Sequence, residues 1–357
     1  MRIVTNMNDP QMRVLCFGTG AIGTYIGGSL ILSGQKVVFI DRPSVNAQVQ
    51  QNGLRLRLGQ REHRLKNIQI FESLDEAFGQ GPFDAAMVAV KSYDTQNFID
   101  GISAYWRDLP PLISFQNGVE NEAVLASVLG ADRVIAASVT TAIGKGSGGE
   151  IILEKLRGIG FASEHPIVDI LLKVFQSAGL KPVRYARADS MKWSKMLTNV
   201  IANASSAILD MTPAQIYATP TLYRMEILQL RELLKVMAAM HIEVTDLPGT
   251  PVSLLARAIQ FLPLAIRQPL LTNAVGGGRG DKMPSFHIDL HQGRKQSEVD
   301  YLNGAVVRFG EKCNVATPVN QFLNETLLAL SSGQKPMFTY RNNPVKLLQD
   351  LKVSMQS

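Results

Sequence analysis

Apolar positions in the first half of the chain come in short unbroken runs. Arg13–Phe17 (RVLCF), Lys36–Ile40 (KVVFI), Asp84–Val90 (DAAMVAV), Pro111–Phe115 and Val134–Val139 each read as a strand buried on both faces. Between the first two, Ala21–Leu32 has helical spacing and Gly34 ends it, giving a βαβ unit of about thirty residues. Leu54-Arg-Leu-Arg-Leu58 instead alternates strictly, which predicts an exposed antiparallel strand or hairpin. Near Arg184 the pattern changes. From Ser190 onward helical periodicity dominates, over 190–209, 220–241, 252–262, 284–293, 296–313 and 317–331. The expected fold class is α/β, with an N-terminal doubly wound parallel sheet followed by a mostly α-helical C-terminal domain. Gly276-Gly-Gly-Arg-Gly280 is expected to be a flexible loop, suited to a hinge or lid, and the last fifteen or so residues a partly disordered polar tail.

The first strand ends at Gly18-Thr-Gly20-Ala-Ile-Gly23, and the helix opens within it. In a Rossmann-type unit, the first glycine of such a GxGxxG permits the tight turn and the second lets backbone approach a pyrophosphate. The third allows close helix–strand packing, and amides at the helix start, here Ala21 and Ile22, face the anion. The strand–turn–helix context makes the motif more than a bare glycine pattern. Asp41-Arg42 ends the second strand, eighteen residues beyond Gly23. An acid there holds the ribose hydroxyls of NAD, whereas an arginine clamps the 2′-phosphate of NADP. Both remain open on the sequence, as does a solvated strand-end pair. The division is a leader at 1–12, a dinucleotide-binding domain at 13–186, a helical substrate domain at 187–335 and a tail at 336–357.

Composition narrows the partners. The chain has 357 residues, 46% of them hydrophobic and 18% charged, which is ordinary for a folded two-domain protein. The net charge of +6 is scattered among acids rather than gathered in a basic run, so small anionic ligands are expected and nucleic acid is not. Two distant cysteines, Cys16 and Cys313, without a CxxC pair, argue against a disulfide framework or a cysteine metal site. With no secretory core at the start and no run of about eighteen apolar residues, a cytoplasmic, membrane-free protein is expected. Apolar positions on the outside of the helical domain leave room for a homodimer.

In the stretch Met191–Asn203, Lys195, Asn199 and Asn203 stand at i, i+4 and i+8, a stripe that drifts by only about 80° on a continuous helix. Met196, Leu197, Val200 and Ile201 make that helix apolar enough to be largely buried. A lysine and two amides aligned on it need partners or a chemical role. Reduction of a 2-oxo acid offers one, in which the lysine supplies a proton to the developing alkoxide and the amides orient the substrate. A surface lysine with packing asparagines is the plainer alternative. Glu298 begins a predicted helix, where the helix dipole alone favours a carboxylate.

These residues carry a resemblance. The chain resembles the ketopantoate reductase family (2-dehydropantoate 2-reductase) from Arg13 to about Leu330. The matching elements are the glycine motif, Val88-Ala-Val-Lys91, Gln116-Asn-Gly118, Lys192-Trp-x-Lys195-x-x-x-Asn199, Pro284-Ser285 and Ser297-Glu-Val-Asp-Tyr-Leu-Asn-Gly304. The resemblance implies that Lys195 is the general acid and that Glu298 helps bind substrate and cofactor and positions the lysine. It implies that Asn199, Asn203 and Ser285 hold the substrate's carboxylate and hydroxyl groups. Lys91 and Asn117, at the carboxyl edge of the sheet, would face the nicotinamide and the reacting carbon. Arg42 takes the position used for the 2′-phosphate, which favours NADPH, with NAD the alternative. The implied reaction is reduction of 2-dehydropantoate to pantoate in the cleft between the domains. Two rivals stand beside it, a reductase of another 2-oxo acid and a catalytically inactive NADP-sensing protein.

One stretch departs from the family pattern. Ser285-Phe-His287-Ile-Asp289-Leu-His291 replaces its apolar, glutamine-containing run. His287 and His291 are spaced to grip one metal, but no third ligand is evident from the sequence, so no metal is expected. Arg279-Gly-Asp281 is an RGD by letters alone.

Overall fold

The computed structural model describes residues 10–279 and 282–356. The chain divides into two compact units. One runs to Lys192 and includes Leu247–Thr250; the other holds Trp193–Asp246 and the residues from Pro251 onward.

The first unit contains strands β1 (Arg13–Phe17), β2 (Lys36–Ile40), β3 (Leu54–Leu58), β4 (Arg61–Leu65), β5 (Gln69–Phe71), β6 (Ala85–Val88), β7 (Leu112–Ser114), β8 (Val134–Val139), β9 (Ala142–Lys145), β10 (Ile151–Lys155), β11 (Ile159–Ala162) and β12 (Pro182–Arg184). Its helices are α1 (Ala21–Leu32), α2 (Pro43–Asn52), α3 (Leu74–Phe78), α4 (Thr95–Ile102), α5 (Asn121–Leu129) and α6 (Ile167–Ser177). Among the described residues, eight strands form one sheet in the order β12-β11-β8-β7-β6-β1-β2-β5. Every pairing in it is parallel except β11 with β8. Both faces are covered, as the unbroken apolar runs require. Val14, Cys16, Val37, Phe39 and Met87 enter one core, while Leu15, Phe17, Val38, Ala86 and Val88 enter the other.

The strand order reverses between β1 and β6, which opens a crevice at their carboxyl ends, the usual ligand position in such sheets. The alternating Leu54–Leu58 segment forms a hairpin with β4. It extends to a four-stranded sheet, β4-β3-β10-β9, whose last two strands the hydrophobic pattern did not announce. Helix α1 packs between the two sheets. A Cβ on Gly27 would lie 2.6 Å from the Phe39 ring and one on Gly28 2.7 Å from Leu56, so side chains there would push the layers apart.

The second unit is helical: α7 (Ala188–Asn199, entering from the first unit), α8 (Asn203–Leu209), α9 (Pro213–Ala218), α10 (Pro220–Ala239), α11 (Val252–Phe261), α12 (Leu264–Arg279), α13 (Ser285–His291), α14 (Val299–Lys312), α15 (Pro318–Ser331) and α16 (Pro344–Ser354). None of the described helices is long and apolar enough to cross a membrane. The long α10 is central, with Leu222, Leu230, Leu233 and Val236 fully buried. It also buries Glu226, Gln229 and Glu232. Glu232 accepts from the Val319 and Asn320 amides, and Asn320 Nδ2 donates to both Glu232 and the Gln229 carbonyl. Asn303 completes the chain by donating to Asn320 and Gln229, which explains a buried asparagine inside the VDYLNG helix. Burial raises the Glu232 carboxyl above its ordinary range, against the pull of these donors.

Three expectations are corrected. The predicted helix 190–209 is broken after Asn199, because Ala202 takes left-handed φ of 48°. The break is held from α10: Glu226 accepts from the Ala202 amide at 2.8 Å, and Gln229 donates to the Val200 carbonyl at 3.2 Å. Residues 276–279 complete α12 instead of forming a loop. Gly280 and Asp281, and with them the end of the glycine loop and of the RGD, lie outside the described residues. The expected tail carries α16, capped by Asn343 accepting from the Lys346 amide and anchored by buried Leu347 and Leu351. Of the expected leader, residues 1–9 lie outside the described residues, while Met12 is already core and donates its amide to Gln35.

Candidate active site

The glycine turn follows β1 directly. Gly18 has φ of +95°, donates its amide to the Ile40 carbonyl at 2.9 Å, and lies against Ala89 and Val90 just beyond β6. A Cβ on Gly23 would come within 1.9 Å of the Gly18 carbonyl oxygen, so the turn and the helix start touch through backbone alone. Gly20 caps α1 with its backbone, no side chain caps this helix, and a Cβ there would meet open space. An uncapped helix start beside empty space at a sheet switch point is the setting a pyrophosphate requires. On these grounds the residues present fit a dinucleotide, with Gly18, Gly20, Ala21, Ile22 and Gly23 as its cradle. Cys16 beneath the turn is fully buried; desolvation, and then the charge of Asp41, push its thiol far up.

Asp41 is committed to the turn. Its Oδ2 accepts from both the Thr19 amide (2.6 Å) and the Thr19 hydroxyl (2.7 Å), and its Oδ1 accepts from the Arg42 amide (2.8 Å). The Arg42 side chain is 84% exposed, and Asp41's 14%. The sequence pattern alone assigned Thr19 no role. A hydroxyl residue at the first variable position of GxGxxG, with an acid at the next strand end, was the available signal.

Lys91 follows β6 and is half-buried; Asn117 follows β7 and is exposed. The Gln116-Asn-Gly118 turn is anchored by Ser92 Oγ and Asn121 Nδ2, both donating to the Asn117 carbonyl, and by Gln116 Nε2 donating to Thr95. Lys192, also missed as a working residue, is 5% exposed. Its Nζ donates to the carbonyls of Gln116 (2.7 Å) and Ala137 (3.3 Å) and pairs with Glu122 at 2.6 Å. Replacing Lys192 with methionine keeps the shape but strands those acceptors and Glu122. Urea unfolding should show a loss of about 3 kcal/mol; a loss under about 1 kcal/mol, the size of a surface pair, would contradict the assignment.

In the helical unit, Lys195 and Asn199 share one face near the end of α7, both half-buried between buried Ser194, Met196, Leu197 and Val200. The broken helix takes Asn203 off that stripe, a correction to the three-residue alignment. Asn203 is buried instead as a link: Nδ2 donates to the Asn199 carbonyl at 3.1 Å and Oδ1 accepts from the Phe286 amide at 3.2 Å. It therefore fixes the start of α13, where Ser285 is exposed. Glu298 stands at the start of α14, as its helix-start reading anticipated, without a side-chain capping hydrogen bond, and is 3% exposed.

Comparison with known proteins identifies the family of the chain. Residues 14–163 match the family Ketopantoate reductase PanE/ApbA, and residues 187–331 match Ketopantoate reductase PanE/ApbA C terminal. The chain belongs to the ketopantoate reductase family. It is 26% identical over 317 residues to a 2-dehydropantoate 2-reductase of Halobacterium salinarum, covering 86% of this chain and 95% of that protein. A PanE/ApbA family ketopantoate reductase from Ralstonia eutropha JMP134 has a similar structure, with a TM-score of 0.75, 25% identity and coverage of 90% and 99%. D-mandelate dehydrogenase, solved with NADH and anilino(oxo)acetate, shares the fold at a TM-score of 0.74 with 20% identity, over 90% of this chain and 99% of that one.

One expectation fails at α13. The histidine pair has a third neighbour that its spacing does not announce: Asp210, seventy-seven residues before His287, completes a cluster whose three candidate ligand atoms lie within 4.8 Å of one another.

Proposed function

We propose that this protein reduces 2-dehydropantoate to pantoate with NADPH, Lys195 serving as the general acid. The observation that carries the reading is Lys195 itself, half-buried on an otherwise buried stretch of α7 and one turn from Asn199, in a chain with an open dinucleotide cradle. Membership of the ketopantoate reductase family supports it. NADPH, when bound, supplies a hydride to the substrate's 2-oxo carbon. The Lys195 ammonium donates its proton to the carbonyl oxygen, leaving a neutral amine and a hydroxyl product. Asn199 and Ser285 hold the substrate's polar groups, with Asn203 setting the position of α13 behind them. Glu298 stabilises the charged lysine and aids binding of substrate and cofactor. Lys91 and Asn117 line the nicotinamide end of the sheet.

The NADPH preference rests on Asp41 and Arg42. Asp41 holds Thr19 through Oδ2, while the exposed Arg42 guanidinium, loosely paired with Asp41 Oδ1 at 4.0 Å, can reach a 2′-phosphate. Arg42→Ala should raise the KM for NADPH about 10- to 100-fold, the worth of a charge-assisted contact, and leave that for NADH nearly unchanged. An unaltered NADPH/NADH ratio would remove Arg42 from this role.

A second reading keeps the mechanism and changes the substrate. His287, paired with Asp210, stands two residues after Ser285. D-mandelate dehydrogenase carries the same fold and was solved with a different oxo acid compound, so fold does not select the substrate. NADPH oxidation by the purified protein with 2-dehydropantoate, beside a panel of other 2-oxo acids, tests both. Saturable turnover of the first supports the proposal, turnover only of another acid replaces the substrate, and tight NADPH binding without turnover of any favours a sensor.

A further inference from the structure

We propose that Asp210, His287 and His291 form a binding site for one divalent transition-metal ion, Zn²⁺ being the fitting case. The site lies wholly within the helical unit and uses none of the residues assigned to the reduction. Asp210 ends α8 in the left-handed region, at φ 53°, which places its carboxylate beyond the helix end. His287 and His291, one turn apart on α13, stack their rings with centroids 4.0 Å apart at 24°. Both Nε2 atoms face the same oxygen, Asp210 Oδ1, at 2.7 Å for His287 and 3.7 Å for His291. Two imidazoles and one carboxylate oxygen converging in this way are a common zinc donor set that leaves a fourth position for water.

The distances suit an ion after a small adjustment. Ligands at about 2.0–2.1 Å in tetrahedral array stand about 3.3 Å apart, so the 2.7 Å edge must open by about half an ångström. Rotation of the Asp210 carboxylate can provide that, and exposed His291 can turn to close its own 3.7 Å edge. Arg341 pairs with Asp210 through the other oxygen, Oδ2, at 2.9 Å and is largely exposed, so it can stay or swing out when an ion occupies the Oδ1 side.

Arg341 lies beyond the residues matched by the family, in the segment whose Asn342 amide donates to the Leu209 carbonyl. An ion at this point would join the end of α8 to α13 and so stiffen the element that starts with Ser285. Binding displaces the proton held between His287 and Asp210; no oxidation or group transfer is involved.

The test uses the full-length chain, untagged and stripped with a chelator, titrated with Zn²⁺ against a chromophoric competitor and with Co²⁺ by visible absorption. One equivalent should bind, with the intense d–d bands of four-coordinate Co²⁺. His291→Ala, at the most exposed ligand, should weaken binding at least about 100-fold and abolish those bands without altering circular dichroism. His287→Ala should do the same, and Arg341→Ala, which removes a competing cation, should tighten binding. Should His287→Ala fail to fold, the His291 and Arg341 variants still decide. Non-saturating binding, or one-equivalent binding that survives His291→Ala through His63, His165 or His241, would overturn the proposal.

Discussion

Lys195→Ala should lower kcat for the 2-oxo acid about 10²- to 10⁴-fold, the usual worth of a positioned general acid, with a much smaller change in KM. The half-buried site leaves room for a small amine, so methylamine should restore part of the rate. Lys195→Arg should stay slow, because a guanidinium keeps its charge yet does not release a proton near neutral pH. The cofactor should still bind normally, since Lys195 belongs to the helical unit and the glycine turn to the other. Steady-state NADPH oxidation and fluorescence titration separate these quantities. A mutant with full kcat would end the general-acid assignment, and loss of NADPH affinity with kcat intact would make Lys195 a binding residue.

A second large effect is expected at the glycine turn, where two neighbouring glycines should respond in different ways. Gly23→Ala puts a carbon 1.9 Å from the Gly18 carbonyl oxygen, an overlap that moving a side chain cannot relieve. Helix α1 must shift, costing about 1–3 kcal/mol of stability, as overpacking does. NADPH affinity should fall about 100-fold as the amides of Ala21 and Ile22 leave their positions. Gly20→Ala meets nothing within 4 Å and keeps an allowed φ of −66°, so it should leave the melting temperature unchanged. Its methyl group nevertheless enters the space reserved for the pyrophosphate, so affinity should still drop. Melting curves and NADPH titrations of both variants give the answer. Equal affinity in Gly20→Ala and the parent protein would mean that the dinucleotide does not approach this backbone.

Much of the first unit was legible because its information is local. Buried parallel strands announce themselves as unbroken runs, and the GxGxxG turn needs glycines at fixed spacing for reasons of contact distance. The βαβ start and the Leu54 hairpin were readable in this way, as was the helical start at Glu298 in the second unit. The strands of the smaller sheet at 142–145 and 151–155 were not, since they are short and half-exposed, the second held by pairing with β3 nearly a hundred residues earlier and the first by pairing with the second. The helix at 344–354 was hidden because only two leucines, Leu347 and Leu351, are buried to dock it, too few to set a clear periodicity.

The candidate site divides along the same line. Lys195 and Asn199 could be placed on one face because i, i+4 spacing on a helix is geometry internal to the segment. Asn203 could not, because the break that turns it toward Phe286 is imposed by Glu226 and Gln229 on another helix. Periodicity carries no term for a carboxylate that captures a backbone amide from outside. The same limit applies to Asp41, whose two possible roles differ only in whether Thr19 reaches it. It applies again to Asp210, an acid at a helix end until the fold brings two histidines to one of its oxygens.

The sequence by itself determined the strands of the parallel sheet, the glycine turn and the lysine-bearing helix, since each follows from spacing within one segment. Tertiary structure alone decided where that helix breaks, which way Asp41 faces and what surrounds the histidine pair. Those outcomes depend on polar contacts between segments far apart in the chain, where the cost of leaving a buried donor or acceptor unpaired selects one arrangement among many that the local pattern permits.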